Sequence, residues 1–119
     1  MTDTIEGRAY LYSFDFPKFR DRAEETIRPV NIFHCQGVCW KFRFSGEIRL
    51  YSNAELLWAG MMTDSEANGY DFLTPHTFTP EDTVCVEVID VSRRWFRWFR
   101  PNSAHVTLEG LEQDPATIQ

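Results

Sequence analysis

Two stretches of this chain alternate apolar and polar residues with a period of two, and that period limits what it can fold into. In Val38-Cys39-Trp40-Lys41-Phe42-Arg43-Phe44, the large apolar residues Val38, Trp40, Phe42 and Phe44 share one parity, and Cys39, Lys41 and Arg43 share the other. From Thr83 to Val91, Val84, Val86 and Val88 share one parity and Cys85, Glu87 and Ile89 the other. Successive side chains of a strand point to opposite faces, so both stretches read as strands with one buried face. β-branched and aromatic residues suit that pleated surface.

The remaining segments extend the same reading. Tyr10, Tyr12 and Phe14 alternate within Arg8–Phe14, Val30–His34 is a short apolar run, and Tyr70–Leu73 and His105–Leu108 read as brief strands. A three-residue turn Ser45-Gly46-Glu47 would set Phe44 opposite Ile48 and Phe42 opposite Leu50, keeping the apolar faces of a hairpin matched. Ala54–Met62 fits either a strand or a short helix. One segment reads as helical: Asp15 as N-cap, Pro17 in the first turn, an apolar stripe of Phe16, Phe19, Ala23 and Ile27, and Pro29 as terminator. The expected fold is mainly β: an antiparallel β-sandwich or rolled sheet of about seven short strands, with one amphipathic helix (about 16–28) across a sheet. Residues 1–110 are expected to form a single β-rich domain and 111–119, polar and containing Pro115, a flexible tail.

The run Thr83–Asp90, a connection, and then Val106-Thr107-Leu108-Glu109-Gly110-Leu111 resembles in cadence the closing strands of bacterial immunoglobulin-like and C2-like domains. The resemblance implies a sandwich. It does not extend to the calcium-binding aspartates of C2-like domains, because arginines follow Asp90 where acids would be needed.

Composition bounds the function. At 119 residues there is room for one domain, and 43% hydrophobic with 25% charged residues is ordinary for a globular chain. A net charge of −6 opposes general nucleic-acid binding, which needs a basic footprint. Three cysteines make a poor disulfide framework. The N-terminal residues lack an apolar leader core and no window approaches a membrane span, so the expectation is a cytoplasmic protein without a transmembrane segment.

Against this acidic background stands Arg93-Arg94-Trp95-Phe96-Arg97-Trp98-Phe99-Arg100, four arginines and four aromatics in succession. It follows a segment, Thr63–Asp90, with seven acids and no Lys or Arg. As a strand it would leave neither face purely apolar, so part of its aromatic surface is expected to meet solvent or a partner. Trp and Arg are the residues most enriched at interface hot spots. Arg93, Arg94, Trp95, Arg97, Trp98 and Arg100 are therefore the candidate binding residues, for a protein partner or a second copy of the chain. Two alternatives share the sequence's support: peripheral contact of the same segment with an anionic membrane surface, and a small-molecule or sugar pocket between helix and sheet, lined by Tyr10, Tyr12 and His34.

Catalytic chemistry has no motif here. There is no phosphate-binding glycine loop, no nucleophile elbow and no metal-spaced His pair. His34, Cys35 and Cys39 lie near one another in sequence, and His76, Cys85 and His105 could add ligands only if the fold brought them together. Asp64, Glu66 and Asp71 lack the spacing of an EF-hand loop. The chain is read as a non-catalytic interaction module with no cofactor and no metal.

Overall fold

The computed structural model describes residues 7–42, 46–62, 65–91 and 102–113. Within them are eight strands and no helix: β1 (Arg8–Phe19), β2 (Arg22–Ile27), β3 (Ile32–Phe42), β4 (Gly46–Ser52), β5 (Glu55–Met62), β6 (Ser65–Phe78), β7 (Val84–Asp90) and β8 (Asn102–Gln113). They form two four-stranded sheets, ordered β1-β8-β3-β6 and β2-β7-β4-β5. Every pairing is antiparallel. Only β4 and β5 are consecutive in the chain and adjacent in a sheet; each other connection passes from one sheet to the other. That strand order is a double-sheet jelly roll.

The alternating residues create the layer between the sheets. Val84, Val86 and Val88 of β7 and Ile48 and Leu50 of β4 face Phe14 and Phe16 of β1, Phe33, Val38 and Trp40 of β3, and Val106 and Leu108 of β8. Burying each of these side chains contributes roughly 1.5–3 kcal/mol.

The expected helix over 16–28 is not present. β1 runs through Phe19, the chain turns at Arg20-Asp21, and β2 begins in the other sheet. The apolar stripe misled because a spacing of four satisfies both periods. Ala23 and Ile27 face the core from β2 as they would from one side of a helix. Pro17 lies where the β1–β8 register shifts, between Phe16 and Phe19, on a strand at the sheet edge. An edge position tolerates its missing N–H.

The expected hairpin also gives way. β3 and β4 lie in different sheets: Leu50 pairs with Trp58 and Val86, and Phe42 with Ser65 and Ala104. Val38 and Trp40 of β3 and Ile48 and Leu50 of β4 are buried in the same layer, but from opposite sides of it. The segment that fitted either helix or strand is β5. Leu50 pairs with Trp58 and Tyr51 with Leu56, so Leu57 is a bulge, and that extra residue broke the two-residue period. β8 continues to Gln113, with Leu111 paired to Ala9 and His34.

At the β4–β5 turn, Asn53 and Ala54 both have positive φ, 51° and 69°. This is the two-residue hairpin geometry that favours Asn-Gly. Asn53 is held by the next connection: the Thr83 N–H donates to its Oδ1 (3.0 Å), and its Nδ2 donates to Asp82 Oδ1 (2.8 Å). Ala54 carries the left-handed strain with a Cβ. Replacing it should help: Ala54→Gly is expected to raise unfolding stability by about 1 kcal/mol, read as a higher urea midpoint at unchanged m. The opposite change is expected at Gly110, where a Cβ would meet the His34 carbonyl oxygen of the adjacent strand far inside contact distance. Gly110→Ala should lower stability by about 2–3 kcal/mol in the same titration.

Candidate functional site

The candidate residues Arg93, Arg94, Trp95, Arg97, Trp98 and Arg100 lie outside the described residues; the points where their segment joins the fold do not. β7 ends at Asp90 in one sheet, and β8 begins at Asn102 in the other. Both side chains are buried. Asn102 Nδ2 donates to Asp90 Oδ2 at 2.6 Å and to the Arg20 carbonyl at 3.0 Å. The Asp90 N–H donates to the Asp21 carbonyl at 2.8 Å. The Arg/aromatic segment therefore joins the sandwich at a hydrogen-bonded clamp that ties both sheets to the β1–β2 turn. A buried carboxylate needs such donors. Sequence reading passed over this pair, because Asp90 and Asn102 are separated by the very segment that drew attention.

The acids before the segment are not one surface. Glu87 points to the outward face of its sheet, yet is only 2% exposed. It is covered by an ion pair with Arg22, the Tyr51 hydroxyl donating to its Oε1 at 3.0 Å, and Arg49 at 3.8 Å. Arg49 also donates to Glu47 at 2.9 Å, and this bond raises the guanidinium pKa. Asp82 accepts the Thr79 N–H at 2.8 Å, which holds its carboxyl below the usual range. Part of the local acid surplus is thus answered by arginines of β2 and β4. Asp71 and Glu81 are exposed.

The six candidate metal or nucleophile residues do not converge. Cys35 faces the core, and Cys39 is on the opposite face of β3, donating to Glu109 Oε1 at 3.3 Å. The ring nitrogens of His34 are engaged by Thr77 Oγ1 (2.9 Å) and Gln113 Oε1 (2.8 Å). His76 packs on Phe72, His105 lies 3.9 Å from Asp15, and Cys85 sits on the outward side of the other sheet. Among the described residues, no group of three His, Cys, Asp or Glu is arranged to hold a metal ion. The pocket expected beside a helix loses that wall. Tyr10 and Tyr12 pack edge-on to each other and to Phe33, while His34 points away from them.

No family model matches the chain, and no curated protein does. Among solved structures the chain is similar to the SPBc2 prophage-derived protein YomS, at 15% identity and a TM-score of 0.41, covering 91% of this chain and 100% of that one. Among the described residues, no helix is long and apolar enough to cross a membrane.

A second surface was not foreseen. Along one long side of the sandwich, edge strands β5 and β6 are joined by aromatic rings. Trp58 stacks on Tyr70 (5.5 Å between ring centres, 30° between planes), and Phe72 meets both edge-on at 5.6 and 5.8 Å. β6 pairs with β3 from Asp71 onward in one direction and from His76 in the other, leaving 72–75 as a bulge opposite Gln36. The bulge packs Phe72 against the core and leaves Leu73 99% exposed. The signal in the sequence was the pairing of Tyr70 and Phe72 at a spacing of two.

Burial pushes the Cys35 thiol up to about 12, and burial with the neighbouring Glu109 carboxylate pushes Cys39 to about 11. Both stay protonated at neutral pH and are poor nucleophiles. Iodoacetamide at pH 8 is expected to label Cys85 in the native protein, Cys39 at least tenfold more slowly than a free thiol, and Cys35 only after unfolding. Peptide mapping by mass spectrometry reads this, and rapid native labelling of Cys39 would contradict it.

Proposed function

We propose that this protein is a small non-catalytic interaction module whose Arg/aromatic segment, residues 93–100, engages a protein surface, either a partner's or that of a second copy. The observation that carries the reading is the clamp at the segment's base. A recognition segment whose two ends are already fixed loses less conformational freedom on binding than a free peptide does. The segment's composition supports the same reading: Trp and Arg anchors are the side chains that dominate interface energetics. The separation of the Cys and His residues favours recognition over chemistry.

The test is the pair of variants Trp95→Ala and Trp98→Ala, with retained fold checked by circular dichroism and thermal unfolding. Loss of one anchor is expected to weaken association by about 2 kcal/mol, or roughly thirtyfold in Kd. Sedimentation equilibrium reports self-association, and affinity capture with quantitative mass spectrometry reports a foreign partner. If both readouts are unchanged in folded variants, the segment is not the interface. Retention on anionic vesicles at low salt, lost in the same variants while protein association stays intact, would transfer the segment to a membrane role.

A further inference from the structure

The β5–β6 side of the sandwich differs from the opposite long side in the way its edges are protected. β1 and β2 carry Asp15, Pro17, Lys18, Arg22, Glu24 and Glu25, the charges and proline that discourage a sheet edge from pairing with another chain. β5 and β6 carry Glu55, Glu66, Asp71 and Pro75, and neither strand contains a Lys or Arg. Lysine, the commonest guard of an edge, is absent from both. From Leu50 to Ser92 the chain has no basic residue apart from His76. The same side exposes Leu56 (50%), Met61 (66%), Tyr70 (44%) and Leu73 (99%). It is a partly apolar, aromatic-lined side whose own two strands carry acids and no Lys or Arg; Arg49 of the neighbouring β4, opposite Ala59, is engaged by Glu47 and Glu87.

This surface calls for a ligand that is aromatic and cationic and has no acid. The chain contains one such segment: residues 93–100 hold four Arg and four aromatics and no Asp or Glu. Its anchors do not adjoin the surface. β7 is separated from β5 by β4, and β8 from β6 by β3. Each attachment point is therefore about 10 Å, two strand spacings, from the edge strand of its own sheet.

We propose that the β5–β6 side is the docking surface for residues 93–100 of a second copy of this chain, in a two-fold dimer that exchanges the segment reciprocally. Arginines meet Glu55 and Asp71, and Trp and Phe rings cover Tyr70, Leu73 and Met61. Reciprocal exchange closes the assembly at two copies, whereas a one-way contact of this heterologous kind would propagate into a filament. The charge pairing opposes the repulsion expected between two chains of net charge −6. This inference rests on the self-association branch of the function proposed above and supplies the surface that receives the segment.

Complementation tests it on the full chain. A surface variant, Met61→Lys with Leu73→Lys, places positive charge where the arginines would dock, at two exposed positions whose substitution leaves the core intact. A segment variant, Arg94→Glu with Arg97→Glu, reverses the ligand. By sedimentation velocity at about 100 µM, wild type is expected to be a dimer and each variant alone a monomer. An equimolar mixture is expected to form a heterodimer, since the intact segment of the first variant meets the intact surface of the second. The second contact of that heterodimer sets the introduced carboxylates against the introduced ammonium groups, so the charge clash that separates each variant alone is absent from both contacts.

The failures are separable. A monomeric wild type overturns the dimer but leaves the segment free to bind a foreign partner. A dimeric surface variant beside a monomeric segment variant overturns the docking surface alone, leaving self-association through the segment. A mixture that stays monomeric overturns reciprocal exchange. A wild type that sediments as an open-ended series of species overturns the two-fold closure.

Discussion

The dry layer between the two sheets is the constraint on which the rest of this structure depends. β7 and β8 lie inside their respective sheets, and their valines and leucine, Val84, Val86, Val88, Val106 and Leu108, are each 1% exposed or less. Because six of the connections cross between sheets, neither sheet can form from a local hairpin alone. β1 finds β8 at the far end of the chain, and β2 finds β7. Apolar burial is the term that offsets the entropy of closing such long loops. The Asp90–Asn102 clamp has meaning only within that layer: it satisfies the polar groups where the chain passes from one sheet to the other.

The same layer explains what could be read from the sequence and what could not. Alternation depends only on which side of a strand is dry, so the stretches now seen in β3 up to Phe42 and in β7 (Val84–Asp90) were legible as β. Partner identity depends on which dry face meets which across the layer, and nothing local encodes that. Phe42 and Leu50 both lie in apolar alternations close in sequence, and a hairpin was the economical inference. They belong to opposite sheets. The stripe Phe16, Phe19, Ala23, Ile27 failed for a related reason: the spacing of four from Ala23 to Ile27 is a multiple of two as well as nearly one helical turn, the spacing of three from Phe16 to Phe19 spans a register shift in β1, and the turn at Arg20-Asp21 divides the stripe between two sheets. Bulges hid the rest. One extra residue at Leu57 made β5 ambiguous, and the four bulged residues of β6 reduced a 14-residue strand to a short visible core.

The candidate site was legible in part, as composition. An Arg/aromatic run in an acidic chain stands out whatever the fold. Its anchoring pair and the surface proposed to receive it are products of topology, and so were invisible. Asp90 and Asn102 are distant enough in sequence to seem unrelated. Trp58, Tyr70 and Phe72 come together only because β5 and β6 are edges of different sheets that meet along one side. Sequence can nominate a ligand-like segment, but the surface proposed for it lies on strands that are not hydrogen-bonded neighbours.

The outward face of the second sheet makes a further point about charge. Glu87 could have been an exposed acid among several; instead Arg22, Arg49 and Tyr51 converge on it from the strands on either side. Glu87 is under cover while Arg22 and Arg49 reach solvent, so each ion pair adds little net stability. The cluster acts on register. β2, β7 and β4 can slide only by breaking it, and a one-residue slip would also turn the valines of β7 out of the core. Arg22 and Arg49 are therefore committed to holding the sheet together. The arginines of residues 93–100 begin beyond the end of β7, past the buried Asp90 carboxylate. The outward face of this sheet uses its arginines for alignment, and the arginines proposed for recognition are other residues, lying in sequence between β7 and β8.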